Sequence, residues 1–360
     1  MKIRFLSLVF ILSFAVTNCS FFTNEPPVLQ FKGGILMLQS GGAAESASLT
    51  FLQQDSAGSI LNIFRNLYLM QNRSNLPVGA YSVQTHEGRG YVVYPNSIFQ
   101  IDGTHFTYEG IITDPKLENC RQFYGINAGK AYVTCWGNAG NPTVAVLDLN
   151  SSRVVKHIPV GKQPEAILLD GIYAYVANSD DQTITVIDTQ TDEPVSAIAV
   201  EPNPVGMAID REKRLWVLCN GNSGSLVSID LKDHTKKPLV FLMDPLTPAT
   251  QFKNLGINRN RDVLYFSMTV TDAKQQSDLF QFAVTDQVKN IPLNKPIDRH
   301  AIDRMIIDPR TQVLYASTPA ESRSKGYVLR YKLPLGVATT IAVTDSIPPI
   351  SPVVGFTLQP

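Results

Sequence analysis

A unit of four short apolar runs, recurring along most of the chain, constrains the fold more than any other feature of this sequence. The clearest copy spans residues 163–200 and reads PEAILLD, IYAYVAN, QTITVID and EPVSAIAV, each run set off by turn residues. The following copy reads NPVGMAID from Asn203, RLWVLCN from Arg214, SLVSID from Ser225 and KKPLVFL from Lys236. The preceding one reads RQFYGI from Arg121, AYVTCW from Ala131, TVAVLDL from Thr143 and RVVKHIPV from Arg153. Runs of this length, rich in β-branched and aromatic residues and bounded by Gly, Asn and Asp, are strands. Four such strands cannot bury both faces of their own sheet, so each unit must stack on its neighbours.

A large apolar residue in the second run serves as a ruler: Leu36, Tyr91, Tyr132, Tyr175, Trp216, Tyr265 and Tyr315, at intervals of 55, 41, 43, 41, 49 and 50 residues. Spacings near 40–50 residues are those of four-stranded propeller blades. A ring of twisted sheets leaves open edges unless its ends meet. Here the first unit opens on GGILML, a second-type strand, and the chain ends in SPVVGFTL, a first-type strand with no successor. The expectation is an all-β, seven-bladed β-propeller of four-stranded antiparallel blades, the C-terminal strand closing blade one as its innermost strand.

Length alone would suggest two domains, but closed all-β architectures often run longer as one unit. Lys plus Arg and Asp plus Glu each number 31, and only 17% of residues are charged, so no net field favours nucleic acid. Met1-Lys2-Ile3-Arg4 is a short basic segment, followed by an apolar run, residues 5–16, too short for a permanent membrane helix. Residues 1–18 read as a signal peptide, 19–29 as a polar tether and 30–360 as the propeller. Val16-Thr17-Asn18-Cys19 resembles a bacterial lipobox, in which Cys19 would be lipidated; Asn18 departs from the usual small residue before the cysteine.

The stretch AYVANSDDQTITVIDTQTDEPVSAIAVEPNPVGMAID, with YVAN at residues 175–178 and TVID at 185–188, resembles the YVTN repeat of bacterial YncE-like propellers. The resemblance is strong over two blades, fair over residues 121–160 and weak elsewhere. It implies fold and export, and no particular ligand.

In a propeller, the loops between strands two and three and between successive blades share one rim around the mouth of the central channel. The two-to-three loops on this rim, residues 39–48, 135–142, 178–182, 220–225, 268–278 and 318–326, are long and polar, while the opposite turns at 170–171, 210–213 and 258–262 are short. Such asymmetry makes the long-loop rim the binding face. Residues near the starts of the first strands carry both signs, Arg121, Glu165, Lys253, Asp303 and Arg304, beside apolar Val78, Val205 and Val353. Trp136, Asn178, Asn220 and His300 are the further rim candidates. The charges suit a small polar or zwitterionic ligand or internal ion pairs, and Trp136 either recognition or packing between blades.

Of five histidines, His86, His105 and His234 fall in turns of the opposite face and His157 in a fourth strand, leaving His300 alone near the mouth. No metal set, cofactor motif, phosphate loop or nucleophile elbow is present. If residues 125–130 form the first hairpin of the third unit, Cys120 faces Cys135 across the ladder, as a disulfide or as two buried thiols. Cys219 occupies the repeat position of Cys135 and has no partner, which makes it a small buried filler. The leading expectation is a monomeric, exported and lipid-anchored propeller, without a cofactor, that binds an unknown protein or small polar ligand at the cell envelope. The alternative is a propeller hydrolase or lyase built on His300, Glu165 and Asp303.

Overall fold

The computed structural model describes residues 31–41, 46–138, 140–221, 224–233, 237–244, 250–270, 277–284, 290–293, 296–300, 302–318, 328–333 and 353–359. Residues 1–30 form one unit and 31–360 another, and all of the first, including Cys19, lies outside the described residues. His234 and most of the 318–326 loop lie outside them too. Among the described residues, no helix is long and apolar enough to cross a membrane.

The second unit is a seven-bladed β-propeller. Its inner strands, in blade order, are Val353–Gln359, Ser82–His86, Cys120–Asn127, Pro164–Asp170, Pro204–Ile209, Thr250–Ile257 and Arg304–Asp308. Blades one to five have four antiparallel strands each; blades six and seven have three described strands. In blade six the Leu279↔Asp298 bridge adds an outer pairing, while Asn290–Pro292 runs parallel along Leu239–Asp244, the outer strand of blade five. Chain that follows blade six thereby pairs with the last three residues of blade five's outer strand, Leu242 to Asp244.

Closure occurs as the strand patterns require. Val353–Gln359 pairs antiparallel with Gly34–Gln39, from Gly34↔Gln359 to Leu38↔Gly355, with one bulge before Gln39. Thr85 of blade two joins the seam: its hydroxyl donates to the Leu358 carbonyl (2.6 Å) and its N–H donates to Thr357 Oγ1 (3.1 Å). Across blades seven and one, Arg330 Nε donates to the Gly58 carbonyl (2.6 Å), and the Tyr315 hydroxyl lies 2.7 Å from that same oxygen. Gly58 has φ +76°, and a Cβ there would meet Val313 at 2.7 Å, so the seam needs a glycine.

The seven ruler residues are all buried, each at 1% exposure or less, in the second strands. Such large rings fill the space between twisted sheets, and their polar tips need partners. Tyr132 donates to Asp192, and the Trp216 indole N–H donates to Asp210 Oδ2 at 2.8 Å. The Asp ending each TVID-like third strand also has a task. Asp148, Asp188 and Asp230 accept the backbone N–H two residues on, which forms the tight turn into the fourth strand.

Two local expectations need correction. The first hairpin of blade three turns at residues 128–129, since its strands reach Asn127 and Lys130. Two register shifts along this hairpin still leave Cys120 opposite Cys135, and the structure joins them in a disulfide with a Cα–Cα distance of 3.8 Å. In blade six the expected 268–278 loop is shorter, because Met268↔Asp278 and Thr269↔Ser277 continue the ladder. β-branched Thr269 suits the extended backbone.

Candidate functional site

The inner strands of all seven blades line an axial channel, with Ser82, Gln122, Ala166, Val205, Asn254, Arg304 and Val354 on its wall. On the long-loop side it widens into a mouth cavity of about 420 Å³ that shares Gln122, Val205, Asn254, Arg304 and Val354 with the channel. Trp136, Glu165, Asn220, Lys253, Asp303 and Arg304 line this mouth, as the repeat positions imply, above Phe252, Val205 and Val353. Residues that begin inner strands converge here because these strands run in the same sense along a common axis.

Arg121 stands behind the cavity wall. Its guanidinium lies 3.9 Å from the Tyr81 ring centroid and 3.7 Å from the Trp136 centroid, a cation held between two aromatic faces. Arg121 Nε is also 3.9 Å from Glu165 Oε1. Trp136 therefore packs on Arg121 of its own blade and lines the cavity.

Three expectations fail here. Asn178 is fully buried inside blade four, where its amide donates to Thr183 Oγ1 (2.9 Å) and Thr185 Oγ1 (3.0 Å), so it is not a rim residue. His300 is absent from the cavity lining: its side chain is exposed, and Asp298 Oδ1 holds its Nδ1 at 2.6 Å. The trio of His300, Glu165 and Asp303 is thus not assembled. Val78 likewise stays outside the mouth and is 56% exposed. Among the described residues, no group of three metal-ligating side chains occurs.

Electrostatically the mouth is under tension. Burial raises the Glu165 carboxyl above its ordinary range, against the pull of Arg121 and Arg304. Burial also raises Asp303, against Lys253 and Arg304. A carboxyl whose pKa is higher folded than unfolded contributes stability in acid, and that contribution is lost as pH rises through the folded value. Glu165→Gln and Asp303→Asn are neutral at every pH, so each is expected to melt above the parent at pH 7, with the advantage vanishing in acid. Thermal melts across pH check this; a variant that melts below the parent at neutral pH contradicts it.

Sequence reasoning overlooked Tyr81, Gln122, Gln163 and Asn203. The last three reach the cavity from strand or loop positions next to those chosen, and Tyr81 meets Arg121 only through lateral packing of blades two and three.

Fold and mouth together define a propeller with an axial cavity, and comparison with known proteins agrees on the fold. No protein-family model matches the chain, and no curated protein matches it. Solved structures do. The periplasmic gluconolactonase of Pseudomonas aeruginosa is similar with TM-score 0.65 and 12% identity, covering 91% of this chain and 99% of that one. A quinoprotein alcohol dehydrogenase-like protein of Bacteroides thetaiotaomicron is similar with TM-score 0.63 and 12% identity, over 90% and 79% of the two chains. Kuenenia stuttgartiensis hydrazine synthase is similar with TM-score 0.52 and 16% identity, over 70% and 76%. At these identities the likeness is one of fold.

Proposed function

We propose that the protein is an exported binding propeller of the YVTN and YncE-like kind, tethered to the cell envelope through a lipid on Cys19, that takes a small polar ligand in its channel mouth. The observation that carries the binding reading is the mouth itself: about 420 Å³, with charged side chains from three inner strands converging on it and amides between them. That volume lies in the range of small-molecule sites. Export and anchoring rest on the N-terminal sequence, and the periplasmic location of the similar Pseudomonas aeruginosa gluconolactonase accords with export.

A catalytic reading has one observation in its favour, since two carboxyls with raised pKa values in a cleft are a common mark of acid–base chemistry. The structural neighbours include a gluconolactonase and an alcohol dehydrogenase-like protein. The two readings separate in one assay. Across a panel of lactone, ester and glycoside substrates, the binding reading expects no turnover that Glu165→Gln with Asp303→Asn abolishes. A turnover lost in that double variant makes the mouth an active site.

A further inference from the structure

The charges of the mouth are not equivalent, and their differences indicate what the cavity selects. Arg121, behind the wall, is already engaged: two aromatic faces enclose it, Glu165 approaches it, and its Nη1 donates to the Cys120 carbonyl at 3.4 Å. Lys253 and Arg304 are exposed at the cavity, and neither has an ion pair within 4.0 Å among the described residues. The two carboxylates stand the other way round. Glu165 and Asp303 are partly buried, and each already feels two cations, Arg121 and Arg304 for Glu165 and Lys253 and Arg304 for Asp303. A cationic ligand would therefore have to compete with Arg121 for Glu165, whereas an anion meets two exposed cations, neither held in a close ion pair among the described residues.

The uncharged wall adds a second requirement. Gln122, Gln163 and Asn203 line the cavity with side-chain amides that make no hydrogen bond among the described residues. Asn220 and Asn254 are committed, the first to both the Phe252 N–H and carbonyl, the second to Ser267 and the Asp303 carbonyl. Free amides offer donors and acceptors together, which suits hydroxyl groups.

We propose that the mouth selects a small hydroxylated organic anion, its charge held by Lys253 and Arg304 and its hydroxyls by Gln122, Gln163 and Asn203. This rests on the binding reading above and goes further by fixing the sign of the ligand. Carboxylate and phosphate share the chemistry, since an arginine fork and a lysine point charge accept either.

A set of ligands that keeps one sugar frame and varies only the charge tests the proposal by calorimetry on the intact protein: glucose, glucuronate, glucose 6-phosphate and glucosamine. Glucuronate, glucose 6-phosphate or both are expected to bind on the order of tenfold or more tighter than glucose, the effect of one charge-assisted hydrogen bond. Which of the two leads tells carboxylate from phosphate. Lys253→Met with Arg304→Met is expected to erase that preference, while Glu165→Gln with Asp303→Asn is expected to strengthen it, a gain that mere structural damage would not produce. Equal binding of glucose and the anions, or glucosamine binding tightest, overturns the anion proposal and leaves the binding reading standing. No binding by any of the four overturns both.

Discussion

Deleting residues 351–360 is expected to unfold the entire propeller, with no folded remainder lacking only one strand. The strand removed is the innermost of blade one, and six residues of Gly34–Gln39 lose their partners at once. Thr85 loses both the Leu358 carbonyl and the Thr357 hydroxyl, so the damage reaches blade two. On the other side, Ile35 and Met37 lie in one buried cluster with Val313, Tyr315, Val328 and Val353, against which Phe356 and Leu358 pack, so blade seven is stripped as well. About six ladder hydrogen bonds at roughly 1 kcal/mol each, plus the lost apolar burial, amount to on the order of 10 kcal/mol. That equals the full stability of a typical domain. Far-ultraviolet circular dichroism and urea titration of the truncated chain check it; a cooperative transition at the parent's midpoint would refute the closing role of this strand.

The second large effect is expected at Asp210, which is fully buried at the turn between the first two strands of blade five. Its carboxylate accepts the Trp216 indole N–H (2.8 Å), Arg214 Nε (2.7 Å) and the backbone N–H groups of Glu212 (2.8 Å) and Arg214 (2.9 Å). Asp210→Ala takes this acceptor from all four donors and this partner from the Arg214 charge. Loss of one member of a buried pair costs about 3–5 kcal/mol. Asp210→Asn is expected to cost less, about 1–2 kcal/mol, because an amide oxygen still accepts. Blade six supplies the natural precedent: Asn258 holds the equivalent position, and its Oδ1 accepts the N–H groups of Asp262 (3.0 Å) and Val263 (3.1 Å). Urea denaturation followed by Trp216 fluorescence measures both variants; equal costs for Ala and Asn would show that the hydrogen bonds at this turn contribute nothing.

Much of this architecture is legible before any coordinates, for a physical reason. A ruler residue such as Tyr175 or Trp216 must fill the same gap in every blade, so volume and spacing repeat even where identity does not. Glu165, Lys253, Asp303 and Arg304 were legible by the same logic, because a position near the start of an inner strand faces the axis in any blade. Side chains in loops obey no such periodicity. Asn178 looked like a rim residue until two hydroxyls, Thr183 and Thr185, drew its amide inward. His300 precedes Asp303 by three residues, yet Asp298 holds its ring outside the cavity. Tyr81 and Arg121 come from different blades, and only lateral packing brings them together.

Cys219 has a consequence for how the chain matures. Burial pushes its thiol up to about 12, so at pH 7 it stays protonated and not in the thiolate form that attacks a disulfide. Once blade five has folded, the third cysteine of the propeller is chemically silent toward the Cys120–Cys135 bond in blade three. Scrambled pairings then belong to the interval before blade five closes, and the order in which blades form governs the fidelity of oxidation.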